Sequence, residues 1–205
     1  MAALWSETAG RLMSRRDGGR IDTRERVFHF ARTRSALLTQ KKLYGYLKER
    51  IGIRYPEEFA RPEFARSMRI ATIHIYAASL SDLTVFCVAN AMKEAGEADK
   101  QHAARDCFRL GIDENAAAEF AAEKLVWIDS FEARVGRTLW PATGEGAWHF
   151  TESPKALVKW APIADELKKL DREIVENSLR FAWIEVRNDF MARLDADAVV
   201  RDRPA

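Results

Sequence analysis

No glycine-rich nucleotide loop, no metal-ligand spacing and no nucleophile motif occurs in this chain, so no sequence signature names a reaction. Cysteine is scarce. Cys87 and Cys107 each sit inside a helical pattern without framework spacing, which points to free thiols in a reducing compartment. The four histidines, His29, His74, His102 and His149, are scattered. No Glu-x-x-His pair accompanies them, and Asp99 three residues before His102 lacks a matching second helix, so neither a metal nor a cofactor is expected. Long uncharged apolar runs are missing too. The best stretch, Ile70 to Val88, is broken by His74, Ser79, Ser81, Asp82 and Thr84, which argues against a membrane-spanning helix. The opening residues carry no apolar h-region of a secretory signal. A cytoplasmic protein is expected, peripheral on the inner face of a membrane if its N-terminus meets lipid. Alternating strand patterns and repeats of 20 to 50 residues are also absent, which excludes sheet folds and solenoids.

What is present describes a helical domain. The 205 residues, 47% hydrophobic and 31% charged, suffice for one packed core. Apolar positions at spacings of three, four and seven predict a first helix over 23–51, with Val27, Phe30, Ala31, Leu37, Leu38, Tyr44, Leu47 and Ile51 on its core stripe. Asp22 with Glu25 three residues later reads as its capping box. A second helix over 62–95, apolar nearly all round from Ile70 to Val88, is the expected centre of the fold. Helices over 98–110 and 113–135 follow, joined through Gly111–Ile112–Asp113, with Asp113 as a cap. A last helix over 162–194 presents Ile163, Leu167, Leu170, Ile174, Phe181, Val186, Phe190 and Leu194 inward. Gly52, Gly96, Gly111 and Gly136 read as residues that end helices, and Pro62 and Pro162 as first helical positions. The sum is an all-α, single-domain antiparallel bundle of about five main helices. Its predicted divisions are a basic amphipathic segment and hinge over 1–20, the bundle over 21–195 and a frayed tail over 196–205.

Charge is unevenly spread. Residues 1–54 hold 13 Lys and Arg against 5 Asp and Glu, whereas residues 55–205 hold 20 against 26. Leu4, Trp5, Leu12 and Met13 share one face of an N-terminal helix with Arg11, Arg15 and Arg16 at its end, a pattern suited to an anionic membrane face or an acidic protein. Arg32, Arg34, Lys41, Lys42 and Lys48 extend this basic surface along the first main helix. Nucleic acid is the weaker reading there, because the net charge is only +2 and no recognition motif occurs. A solvated face, or one matched to the acidic remainder of the chain, accounts for those cations better.

Two further features carry chemistry. His74 and Ser81 fall on one line of the central helix, with Asp82 about 80° round the axis from His74. A buried His and Asp need partners, and in a cleft they become the polar groups of a pocket. The segment from Gly136 to Pro162 is rich in Gly and Pro, yet holds Trp140, Trp148, His149, Phe150 and Trp160. Tryptophan is costly to leave in water, so an ordered aromatic lid is predicted, with Trp148 and His149 at its rim. A non-enzymatic adaptor docking through the basic third is therefore the leading expectation. The alternative is a small-molecule-binding protein or enzyme whose pocket lies between the central helix and the lid. The last helix can also serve as the seam of a homo-oligomer.

Overall fold

The computed structural model describes residues 18–140 and 150–202. Over these the chain is an all-α helical bundle, as the periodicity predicts. No strand occurs among the described residues; an isolated parallel bridge joins Ile21 to Leu194.

Helix α1 spans Arg24–Ile51. Its cap is Thr23 rather than Asp22: Thr23 has extended backbone, and its hydroxyl accepts from the Arg26 amide at 3.2 Å. The helix ends at Gly52, whose φ of 65° is one that side chains with a Cβ rarely adopt. Buried Val27, Phe30, Ala31, Leu38 and Leu47 follow the predicted stripe, but Leu37 is exposed and Leu43 takes a place in the core instead. The short α2, Tyr55–Ala60, turns the chain into α3, Pro62–Ala91, which starts with Pro62 in its first turn.

Helix α3 is the axle of the molecule. From Tyr76 to Ala91 every residue except Ala78 is buried, including Ser79, Ser81, Asp82 and Thr84. It packs most extensively on α1 and then on α6, Glu152–Trp160. By length and composition α3 could cross a membrane, yet 78% of its apolar window is covered by the rest of the bundle.

The other predicted glycine stops are corrected. Gly96 precedes α4, Glu97–Asn115, with extended backbone, and Gly111 lies inside that helix. A Cβ at Gly111 would sit 2.5 Å from Leu80 Cδ2, so this glycine permits α4 to approach α3 closely. The chain therefore continues as helix through residues 111–113, and Asp113 pairs with Lys124 at 3.0 Å instead of capping. The reversal comes at Ala116–Ala117, before a single 3-10 turn and α5, Ala121–Arg137, which contains Gly136. Pro162 is likewise outside a helix: α7 spans Asp165–Arg193.

On α7 the predicted inward stripe is half wrong. Phe190 is in the core, but Leu167, Leu170, Ile174 and Phe181 face outward, and the buried side is Asp171, Val175, Leu179, Trp183 and Phe190. The helix has two apolar faces, and the one bearing Trp183 and Phe190 wins because it meets an aromatic cluster. Phe190 lies 5.1 Å from Phe30 and 5.9 Å from Phe86, while Phe150 stacks on Trp183 at 4.7 Å. Burying such rings contributes about 1.5–3 kcal/mol each, more than a lone Leu or Ile at a periphery.

The tail is not frayed over 196–201. Helix α8, Ala196–Arg201, is capped by the Asp195 side chain and buries Val199. Ile21 N–H donates to Arg193 O and Asp195 N–H to Ile21 O, each at 2.8 Å, and the Arg24 amide donates to Asp202 Oδ2 at 2.8 Å. Gly19 accepts from Arg193, and Arg20 pairs with Asp195, so the end of the predicted hinge is fastened to the bundle.

Candidate functional site

Three helical faces converge on an open groove of about 870 Å³. Helix α3 supplies His74, Ala77, Ala78, Ser81 and Val85, and α5 supplies Trp127, Phe131, Arg134 and Arg137. Helix α6 adds Lys155, Ala156, Lys159 and Trp160, while Leu139 and Thr151 stand at the rim. Each set follows the i, i+3, i+4, i+7 rule for one face of a helix. Buried Val85, Phe108 and Phe131 form an apolar floor, and the walls mix Trp127, Trp160 and alanines with His74, Ser81, Arg134, Arg137, Lys155 and Lys159.

His74 is the most specifically held of these groups. Its ring stacks on Trp160, with centroids 3.5 Å apart and planes 4° from parallel, and meets Trp127 edge-on at 5.1 Å. Trp127 Nε1–H donates to His74 Nδ1 at 3.3 Å. That bond requires a bare Nδ1, so it selects the neutral tautomer carrying its proton on Nε2. Burial lowers the His74 pKa below the ordinary value; Glu123 opposes this and Lys159 adds to it. A neutral, clamped imidazole flat against an indole is the result.

Asp82 has a different role from the one foreseen. It is wholly buried and lies behind the groove wall. Arg134 Nη1 donates to Oδ1 at 2.7 Å and to Ser81 Oγ at 2.9 Å. Oδ2 accepts from the Ser153 hydroxyl at 2.6 Å and the Ser153 amide at 2.8 Å, and the Glu152 amide reaches Oδ1 at 3.3 Å. Ser153 Oγ in turn accepts from Trp183 Nε1 at 2.9 Å. Burial pushes the Asp82 pKa up, and Arg134 and Ser153 pull it back. All four partners are donors, so the carboxylate is the form this site holds. Asp82 is thus an N-cap supplied from another helix: α6 has no capping side chain of its own, and a carboxylate from α3 sits at its positive end. His74 and Ser81 share the groove, whereas Asp82 fastens α6 and α5 to α3.

Electrostatically the groove favours anions. Arg134, Arg137, Lys155 and Lys159 line it against one carboxylate, Glu152. Arg134 is balanced by Asp82 and Lys155 lies 4.0 Å from Glu152, which among the described residues leaves Arg137 and Lys159 as the uncompensated charges. Among the described residues Arg137 has no ion-pair partner, and Lys159 Nζ stands 5.1 Å over the Trp160 ring. Among the described residues no group of three or more His, Cys, Asp or Glu side chains is placed to hold a metal ion. The two thiols are buried and free; burial raises the pKa of both, that of Cys107 to about 12, so they are poor nucleophiles.

The remaining sequence candidates are dispersed. Trp140 is buried and Trp160 is half-buried in the groove wall, while Trp148 and His149 lie outside the described residues. So do Leu4, Trp5, Arg11, Leu12, Met13, Arg15 and Arg16. The cations of α1 are largely engaged within the chain. Arg32 pairs with Glu114 at 2.5 Å and Arg34 with Asp189 at 2.8 Å. Lys42 donates to Ser178 Oγ at 2.8 Å, and Lys48 lies over the Tyr55 ring. Arg50 and the Tyr46 hydroxyl both bond the buried Asp171 on α7. Lys41 is exposed. Sequence reasoning missed Trp127, Arg134, Arg137, Lys155 and Lys159. The seven-residue spacing of Trp127 and Arg134 was the available signal, but nothing in it says which helix that face meets.

Comparison with protein families, with curated proteins and with solved structures finds no match to this chain.

Proposed function

We propose that this protein binds a small anion with a flat apolar body in the groove between α3, α5 and α6. The observation that supports this most is the His74–Trp160 stack held in a groove whose uncompensated charges among the described residues, Arg137 and Lys159, are both positive. A volume of about 870 Å³ falls within the range of small-molecule sites, roughly 300–1,000 Å³. The apolar floor suits a planar ring, and two cations in the lining suit a carboxylate or sulfonate. Imidazole and lysine are not paired with a nucleophile here, so binding rather than turnover is the role assigned.

The test uses 2-naphthoate and its uncharged isostere 2-naphthamide as probes, read by tryptophan fluorescence and calorimetry. Naphthoate should bind at least tenfold more tightly, about 1.4 kcal/mol. Arg137→Gln with Lys159→Gln should remove that preference while leaving the fold intact. Equal binding of the two probes, or none at millimolar concentration, would sink the proposal.

Docking of a helical adaptor onto an anionic membrane face or an acidic protein stays a separate proposal. It rests on residues 1–16, since most cations of α1 already have partners in the chain. Flotation with anionic vesicles, with and without residues 1–17, tests its membrane form, and flotation unchanged by the deletion rejects it.

A further inference from the structure

Helix α7 carries a second apolar seam on the side away from the bundle. Leu170 is 76% exposed, Ile174 72% and Phe181 69%, with Leu167, Ile184 and Met191 also exposed. These positions follow one heptad register: Leu167, Ile174, Phe181 and Asn188 at a, and Leu170, Asn177, Ile184 and Met191 at d. Their mean direction lies roughly 170° from the buried face at 100° per residue, so the seam is unobstructed by the helices that cover Val175, Leu179 and Trp183. It runs about 36 Å, from residue 167 to residue 191.

The charges beside the seam say what covers it. The g positions read Glu166, Glu173, Arg180 and Arg187 along the helix, acidic in the first half and basic in the second. Such a sequence is complementary to itself when reversed. We propose that a second copy of this chain packs antiparallel along α7, with the two-fold axis passing between Val175 and Glu176. In that register Leu167 meets Ile184 of the second copy, Leu170 meets Phe181, and Ile174 meets Asn177, each contact occurring twice. Glu173 then faces Arg180 across the seam, an ion pair formed twice, whereas Arg187 is turned inward with its guanidinium 5.4 Å over the Phe86 ring. A parallel pair would instead set Arg180 beside Glu185, leave Glu173 beside Ser178 without a counter-charge, and bring Glu166 beside Asp171, a contact of like charges. Among the described residues Glu166 and Glu173 have no ion-pair partner, while Arg180 pairs with Glu176 on its own helix.

The full chain, 23.4 kDa, is examined by sedimentation velocity and light scattering from 1 to 200 µM at about 0.15 M salt. A concentration-dependent species of twice that mass is expected. Phe181→Glu and Ile174→Glu, both at exposed positions, should keep the helical circular dichroism and weaken dimerisation at least tenfold, as loss of a buried anchor does. Glu173→Arg alone and Arg180→Glu alone should each weaken it; Glu173→Arg with Arg180→Glu should return it to within about threefold of the unaltered chain, because antiparallel pairing swaps both members together. In a parallel pair the Arg180→Glu member of that double change sets a new carboxylate against Glu185, and dimerisation fails to recover. A monomer at all concentrations overturns the proposal, as does a dimer indifferent to Phe181→Glu. So does a chain that dimerises only after residues 1–17 are removed, which would make that segment the occupant of the seam.

Discussion

Replacing Asp82 with Ala isolates the fastening of α6 to the bundle. The carboxylate is 0% exposed, its partner Arg134 retains 17% exposure at the groove wall, and α6 has no cap of its own. Removing one member of a buried pair typically costs about 3–5 kcal/mol, because the other is left desolvated without a counter-charge. Arg134 can turn toward groove water and keeps Ser81, which places the ion-pair loss near about 3 kcal/mol. Losing the cap on the Ser153 and Glu152 amides adds about 1 kcal/mol. A total of about 4 kcal/mol is a large share of the roughly 5–15 kcal/mol that holds a domain together. In chains of this size it lowers Tm by roughly 8–16 °C. Urea unfolding followed by tryptophan fluorescence reads the cost, and Trp183, which donates to Ser153, reports the site directly. The paired replacement Asp82→Leu with Arg134→Met should cost less than Asp82→Ala, since no charge is then stranded. A loss below about 1 kcal/mol for Asp82→Ala would refute the reasoning. It would mean that the bonds at Asp82 contribute no more than water does.

Two helical glycines should respond with opposite signs to the same change. Gly111→Ala drives a methyl to within 2.5 Å of Leu80 Cδ2 and 3.1 Å of Arg32 Cγ, and should destabilise by about 1–3 kcal/mol despite the better helix former. Gly136→Ala meets nothing within 4 Å and should stabilise by roughly 0.5–1 kcal/mol; chemical denaturation of both variants checks the pair. His74, with its pKa lowered in the fold, binds protons less readily there than in the unfolded chain. Its contribution is therefore complete above the unfolded value of about 6.5 and is lost as pH falls through the lower folded value. His74→Phe, which keeps a flat ring against Trp160, should flatten the decline in urea midpoint between pH 7.5 and 5 relative to the unaltered chain. An unchanged or steeper decline would contradict the assignment.

Much of the framework was legible in the residues. Apolar spacing and the scarcity of strand patterns specify helices, and apolar residues on nearly every side of Ile70–Val88 mark the central one, because a helix apolar nearly all round is stable in water only when surrounded. Pro62 and Gly52 likewise declared a start and a stop, since each acts through its own backbone. The glycines at 96, 111 and 136 misled for the converse reason. Whether a missing Cβ serves a turn or the close approach of another helix depends on what lies opposite, and Leu80 is far from Gly111 in sequence.

The same distinction governs the groove. His74 and Ser81 were placed on one line by helical geometry alone, but their convergence with Trp127 on α5 and Trp160 on α6 is a product of packing. So is the conversion of Asp82 from a candidate pocket group into the cap of another helix. On α7 the spacing predicts a single inward stripe, whereas apolar residues occupy two sides of the helix, and only assembly of the aromatic cluster around Phe86 chose which side turned inward. Local sequence determines what acts within a few residues: caps, turns and the period of a face. Tertiary structure alone decides which faces meet, because that choice is made by long-range burial among competing surfaces of similar apolarity.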